Sequence, residues 1–271
     1  MDIRFFFLIL QKVITMKRTV LITGATSGIG KAIAEKFARE GFQIVFNSID
    51  EDGEEIARQI ASRYQINHLY VHADVTDKGA MAEMITEASA QFGSIDILIN
   101  NAGIQFVSAI DEFPDEKWDA IIAVNLSSAF HLTKAVWPLM KKNKFGRIIN
   151  IASAHGLVAS EFKSAYVASK HGLIGFTKAI ALEGAPLGIT CNAICPGYVH
   201  TAIVDNQINN QMKLHHMTKD EVIQQVMLGK QAIKEFIPAE LVADAAFFLA
   251  NENARTITGI SFPIDGGWTA E

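Results

Sequence analysis

Residues 153–170, SAHGLVASEFKSAYVASK, place a hydroxyl (Ser153), an imidazole (His155), a phenol (Tyr166) and two amines (Lys163 and Lys170) in a stretch otherwise rich in small and apolar residues. Tyr166 and Lys170 are four apart, so on a helix they stand one turn apart on one face. A free phenol titrates near pH ~10, and making it a base at neutral pH needs roughly 4 kcal/mol of help. A neighbouring ammonium supplies that help by favouring the phenolate. Such a pair can draw the proton from an alcohol, while Ser153 offers its hydroxyl to the same oxygen. A bare Tyr-x-x-x-Lys is common and mostly structural, so the reading depends on what surrounds it.

Short, nearly continuous apolar runs alternate with longer helical patterns from Lys17 onward. Segments 18–23, 43–47, 68–74, 95–100, 146–153, 188–195 and 259–264 read as strands, and their unbroken apolar character is that of parallel strands covered on both faces. Helical patterns fall at 28–40, 77–92, 115–142, 164–184 and 239–250. No repeat or long linker divides the chain. The pattern predicts an α/β fold: one doubly wound, Rossmann-like domain spanning 16–271, a mostly parallel seven-stranded sheet with helices on both faces. Residues 198–237 depart from the alternation, with a capping-box start at Thr218–Glu221 and an apolar face of Val222, Ile223, Val226 and Met227. Lying past a strand end, they are expected to form a small lid over a ligand; a helical hairpin that merely packs is the alternative.

Directly after the first strand stands TGATSGIG, Thr23 to Gly30, followed by a helix. Glycines at 24, 28 and 30 permit a tight turn and close backbone approach to a pyrophosphate at a helix N-terminus. The end of the second strand, Phe46-Asn47-Ser48-Ile49, offers neither an Asp for ribose hydroxyls nor an Arg for a 2′-phosphate, and Ser27 is neutral too. Without a cation for the extra phosphate, NAD is expected over NADP. Asp74-Val75 can cover an adenine edge, or Asp74 can cap the next helix. Asn100 to Gly103, NNAG, can let backbone approach the cofactor ribose or simply stabilise the sheet. With a dinucleotide in place, the Lys170 ammonium can also hold a ribose hydroxyl and fix the nicotinamide beside Tyr166.

Composition narrows the classes. The 271 residues are 49% hydrophobic and 20% charged with a formal charge of −5, which gives no basic field for nucleic acid. Two cysteines, Cys191 and Cys195, make no disulfide framework and suit a cytoplasmic, reducing compartment. Neither this CxxxC pair nor His215-His216 has metal-site spacing, so no metal is expected. The apolar run Phe5–Leu10 is far shorter than the roughly 20 residues that span a bilayer. No small-residue cleavage site follows it, and residues 1–15 are read as an extension, disordered or a start-codon artefact, outside the fold.

Taken together, Thr23–Gly30, Asn100–Gly103, Asn125 in VNL, Ser153, Tyr166–Lys170 and Pro196-Gly197 with Thr201 resemble the short-chain dehydrogenase/reductase family over essentially 17–271. The resemblance implies a catalytic tetrad of Asn125, Ser153, Tyr166 and Lys170, with Asn125 holding a water in a proton relay. It also implies a cofactor site of Thr23, Gly24, Thr26, Ser27, Gly28, Ile29, Gly30, Asn47, Asp74, Val75, Asn101, Ala102, Gly103, Pro196, Gly197, Val199 and Thr201, besides Tyr166 and Lys170. Members are usually homotetramers, with the tyrosine-bearing helix in a subunit interface.

Lys163, Tyr166 and Lys170 fall at 0, 3 and 7 of a helical pattern and so share a face. One lysine suffices for the tyrosine. The second, with His155, suits a carboxylate, which prefers charge-assisted hydrogen bonds; a solvated lysine and a loop histidine are the plain alternative. NAGIQ, SAHGLVAS, KSAYVASKHG and CPGYV further resemble the bacterial (R)-3-hydroxybutyrate dehydrogenases. That resemblance implies a 3-hydroxy acid held by Gln105, Ser153, His155, Lys163, Tyr166, Tyr198, Gln207 and Trp268. Tyr198 departs from the tryptophan usual there, which would alter the cavity and the acyl length tolerated. The rival readings are a reductase of 3-oxoacyl thioesters or other ketones, and a silent nucleotide sensor on the same fold.

Overall fold

The computed structural model describes residues 17–201, 204, 208, 212 and 217–270. The extension at 1–15, Gln207, His215-His216 and much of the middle of the expected lid lie outside the described residues.

Seven strands, β1 (Thr19–Thr23), β2 (Gln43–Ser48), β3 (His68–His72), β4 (Ile97–Asn100), β5 (Gly146–Ile151), β6 (Ile189–Pro196) and β7 (Ser261–Ile264), form one sheet in the order β3-β2-β1-β4-β5-β6-β7. Every pairing is parallel. β1, β4, β5 and β6 are buried throughout, which explains why they read as unbroken apolar runs rather than alternating ones. The strand order turns outward on either side of β1 and β4, so a crevice opens beyond their C-terminal ends.

The longer helices are α1 (Gly28–Arg39), α2 (Gly53–Tyr64), α3 (Lys78–Phe92), α4 (Asp115–Ile122), α5 (Ser128–Asn143), α6 (Ser164–Gly184) and α7 (Ala239–Ala250). On one face, Ile33 and Phe37 of α1 and Val242 and Leu249 of α7 pack on Val20, Ile22, Ile97 and Ile149. On the other, Met81 and Met84 of α3 and Leu132 and Val136 of α5 pack on Leu21, Leu98 and Ile148. Side chains thus alternate across the central strands, each finding its own helix layer.

The predicted helix 115–142 is interrupted. A π-helical stretch, Ala123–Ser127, separates α4 from α5 and carries Asn125. One extra residue in a turn re-aims side chains, a device found often at functional sites. The 198–237 excursion leaves and returns at one point, where Val199 bridges Ile237. Within it the Thr218–Glu221 capping box forms as the sequence predicts and leads into a π-helical stretch, Val222–Met227. Val204, Ile208, Val222, Met227 and Leu228 make a small core of their own beneath Tyr198. Among the described residues no helix is long and apolar enough to cross a membrane.

Candidate active site

Beyond β1, the glycine turn is built by contacts that leave backbone N–H groups free. Asn101 Nδ2 donates to the carbonyls of Thr23 (2.8 Å) and Gly24 (3.1 Å). Thr23 Oγ1 accepts from the N–H groups of Asn101 and Ala102, both at 3.0 Å. A side chain at Gly30 would run into the Gly24 carbonyl and this amide, so only glycine closes the turn. Ser27 precedes α1 without capping it, leaving the first-turn N–H groups available to an anion. Gly24, Ser27, Gly28 and Ile29 line a cleft of about 270 Å³ together with Asn101, Ala102, Gly103, Pro196, Gly197, Val199 and Thr201. These residues fit a dinucleotide pyrophosphate and nicotinamide.

Several expected cofactor residues do not reach the cleft. Thr26 turns inward, its hydroxyl 2.6 Å from both Ser48 Oγ and Asp50 Oδ2. Asn47 is buried and donates to the carbonyls of Val71 and Ala73, tying β2 to the end of β3. Val75 packs in the core, and Asp74 Oδ1 accepts from the amide and hydroxyl of Thr76. The cap of α3 is Asp77 rather than Asp74. Asp50 lies two residues past β2, beyond the strand end where the sequence points for an acid; the loop folds back and brings its carboxylate to the turn.

Ser153, extended at φ −176° just past β5, accepts from the His155 amide at 3.1 Å. Tyr166 lies in the first turn of α6, and Lys170 follows on the same face with Nζ 5.6 Å from the phenol ring centroid. Lys170 Nζ donates to the Ile151 carbonyl at 2.8 Å. Gly156 lets this turn sit on α6, since a Cβ there would be 2.7 Å from Ile174 Cδ1 and 3.0 Å from the Lys170 carbonyl. Burial pushes the Tyr166 phenol upward while its bond to the Ser153 hydroxyl draws it back, and burial brings Lys170 down to about 8. Burial is the largest influence on both groups, and Ser153 is the neighbour that draws the phenol down. Desolvation penalises the lone phenolate and the lone ammonium alike, so each leans to its neutral form.

Asn125 is buried and committed to backbone. Its Oδ1 accepts from Ile104 N (2.8 Å), and its Nδ2 donates to Ile104 O (2.9 Å) and Ser169 Oγ (3.2 Å). Ser169 in turn donates to the Tyr166 carbonyl at 2.8 Å. Asn125 thus braces the loop after β4 against α6.

The far end of the cleft is made of side chains. Lys163 is the residue before α6 rather than part of it, at φ −124° and ψ 30°, yet it is buried with Nζ 3.3 Å from the Tyr198 hydroxyl. Burial, helped by the Lys230 charge, lowers it to about 8. His155 is brought to about 3 by burial, Lys163 and Lys230, so its ring is neutral and adds donors and acceptors but no charge. It stands edge-on to Trp268 (4.9 Å) and to Tyr166 (5.9 Å). Tyr198 stacks on Trp268 at 5.6 Å and 10°, and burial raises its phenol to about 12. Gln105 lines the same space with a buried Nε2 that has no partner among the described residues. Ser160 Oγ lies 3.0 Å from His155 Nε2, and Lys230 Nζ lies 3.5 Å from Ser160 Oγ, so both connect to this end through the histidine. Among the described residues no group of three or more His, Cys, Asp or Glu gathers, and Cys191 and Cys195 are both buried and free.

Fold and cleft together define a dinucleotide-dependent oxidoreductase class. The short chain dehydrogenase family model matches residues 18–212, and the chain belongs to that family of enzymes. It is 50% identical over 258 residues to a D-beta-hydroxybutyrate dehydrogenase of Rhizobium meliloti (strain 1021), covering 94% of this chain and 100% of the relative. A protein of the same name from Cupriavidus necator is 46% identical over 255 residues, 94% and 98% of the two chains. A crystal structure of a single-substitution variant of the actinorhodin polyketide ketoreductase with NADPH superposes with a TM-score of 0.89 at 30% identity, covering 94% of this chain and 98% of that one.

Proposed function

We propose that this oxidoreductase interconverts (R)-3-hydroxybutyrate and acetoacetate with NAD. The observation that carries the reading is Lys163, an amine buried in the cleft with no carboxylate partner among the described residues. An uncompensated buried cation calls for an anion, and Gln105 Nε2, which lines the same cleft without a partner among the described residues, offers a second donor. Relatives named for D-beta-hydroxybutyrate over nearly the whole chain support the same substrate.

In this mechanism Lys163, Gln105 and the neutral His155 hold the carboxylate, with the phenol of Tyr198 and the indole of Trp268 closing the apolar side. Ser153 and Tyr166 hold the C3 hydroxyl, and Tyr166 takes its proton. Lys170 sits where it can stabilise the phenolate and hold a ribose hydroxyl, and Asn125 keeps the loop at Ile104 in register with α6. When bound, the nicotinamide supplies the acceptor for the C3 hydride. Holding the two reactants in register contributes much of the rate, as positioning generally does.

For the cofactor, the Asp50 carboxylate tied to the glycine turn favours NAD by repelling a 2′-phosphate. The 198–237 excursion acts as a lid hinged at the Val199–Ile237 bridge. A homotetramer is supported by apolar side chains left exposed on α5 and α6 (Phe130, Leu182) and around α7 and β7 (Leu241, Phe248, Ile260). Free buried cysteines agree with the cytoplasm.

The test is formation of reduced dinucleotide from NAD⁺ and (R)-3-hydroxybutyrate, repeated with Lys163→Ala and with a neutral ketone in the reverse direction. The ketoreductase likeness makes a neutral ketone or thioester the competing substrate. Loss confined to the acid supports the carboxylate site; equal loss on both substrates, or turnover of the ketone alone, overturns it.

A further inference from the structure

His155 faces two ways. Its Nε2 lies 3.0 Å from Ser160 Oγ, and its Nδ1 has no partner among the described residues although the ring lines the cleft. On the far side of Ser160, Lys230 Nζ approaches the same oxygen at 3.5 Å and stands 6.0 Å from the Trp268 ring centroid. Lys230 itself is exposed and pairs with no carboxylate among the described residues.

One order of donors uses every group within reach, although a hydroxyl oxygen can also accept twice. An ammonium only donates, so Ser160 Oγ is an acceptor toward Lys230. The Ser160 hydroxyl then has one proton to place, and among the described residues the acceptor within reach is His155 Nε2. A ring that accepts at Nε2 and is neutral carries its proton on Nδ1, the nitrogen left for the cleft.

We propose that Lys230 and Ser160 are positioning residues that set the tautomer of His155, so that its Nδ1–H faces the cleft as a hydrogen-bond donor for the substrate's carboxylate. The alternative tautomer would turn a lone pair toward the anion and repel it. Lys230 comes from the return of the 198–237 excursion, so a correctly armed histidine depends on that segment being in place. The consequence for catalysis rests on the carboxylate reading above, but the tautomer does not.

The experiment is nitrogen NMR on the full chain labelled with ¹⁵N-histidine, the His155 signals being assigned by their loss in His155→Gln. The free protein is expected to show the proton on Nδ1. Lys230→Met and Ser160→Ala should move it to Nε2 or to an exchanging mixture, and Lys230→Gln, which keeps a donor, should restore Nδ1–H. A proton on Nε2 in the unmodified protein, or an Nδ1–H unchanged in both Lys230→Met and Ser160→Ala, overturns the assignment. In kinetics Lys230→Met should raise KM for 3-hydroxybutyrate about tenfold with kcat little changed, the loss of one hydrogen bond to a charged group. No turnover of 3-hydroxybutyrate by a protein whose tautomer behaves as described would refute the substrate reading alone.

Discussion

The two ends of the cleft are built from different materials. At the dinucleotide end the working groups are backbone: N–H groups of an uncapped helix, a turn closed by Gly30, and side chains such as Asn101 and Thr23 that only brace it. At the end proposed for the acid the lining groups are side chains drawn from four separate stretches, Gln105, His155 with Lys163, Tyr198 and Trp268. A backbone site is indifferent to everything but shape, and so can serve any member of a fold. A side-chain site chooses the substrate. Between them stand Ser153, Tyr166 and Lys170, which must serve both.

The sharpest break in this arrangement is therefore at the junction. Tyr166→Phe should reduce turnover by about 10³-fold, within the range that a positioned acid–base group contributes. Titration of reduced dinucleotide by fluorescence should show its affinity little changed, because the dinucleotide wall remains. A parallel collapse of cofactor binding would mean that the two ends are not separable in this way.

Gly30→Ala probes the backbone end. The added methyl meets the Gly24 carbonyl and the Asn101 amide, so the turn must open. Overpacking of this kind costs about 1–3 kcal/mol, and thermal denaturation should report it together with weakened dinucleotide binding. Carboxylate recognition, measured as the ratio of KM values for an acid and a neutral ketone, should hold.

This division also explains what was legible in the chain. The seven strands, and the longer helices apart from α2, announce themselves because buried parallel strands are continuous apolar runs set between helical patterns, and the glycine turn because steric demands admit one residue type. Tyr166, Lys170 and Ser153 lie close in sequence and could be read together. The π-helical break at Asn125 could not, since nothing in AVNLS distinguishes an extra residue in a turn from regular helix. Lys163 belonged to a helical pattern but sits one residue before the helix, and reaches the cleft from that looser backbone. Asp50, Ser160 and Lys230 escaped notice because each becomes meaningful only through a partner far away in the chain. The charge state of His155 was also hidden: a histidine near a presumed anion site reads as a cation, whereas burial beside two lysines keeps it neutral.

The acid end should betray its cation through pH. Lys163 is lowered from 10.5 to about 8, so its charge is present below that value and lost above it. KM for 3-hydroxybutyrate should rise as pH climbs through about 8, and Lys163→Met should abolish that rise while carrying a high KM throughout. Stability should move the opposite way. Between about 8 and 10.5 the folded lysine is neutral and the unfolded one protonated, so the unfolded state binds more protons and raising pH favours the fold. Lys170 behaves alike, so the contribution of Lys163 is the difference between the parent and Lys163→Met in denaturant titrations at several pH values.

The smallest effect is expected where the backbone end borrows a side chain. Asp50 accepts from Thr26 at 2.6 Å, and its own amide donates to Ser48 Oγ at 2.8 Å, so the carboxylate is held in place rather than free to swing away. Asp50→Asn keeps the shape and can still meet the Thr26 hydroxyl, but removes the negative charge. Because the group is only partly buried, its repulsion of a 2′-phosphate is screened, and the charge is worth about 1 kcal/mol at such a position. The ratio of kcat/KM for NAD to that for NADP should accordingly fall by roughly fivefold, with melting temperature nearly unchanged. An unaltered ratio would move discrimination from this side chain back to the shape of the turn, making the dinucleotide end a matter of backbone alone.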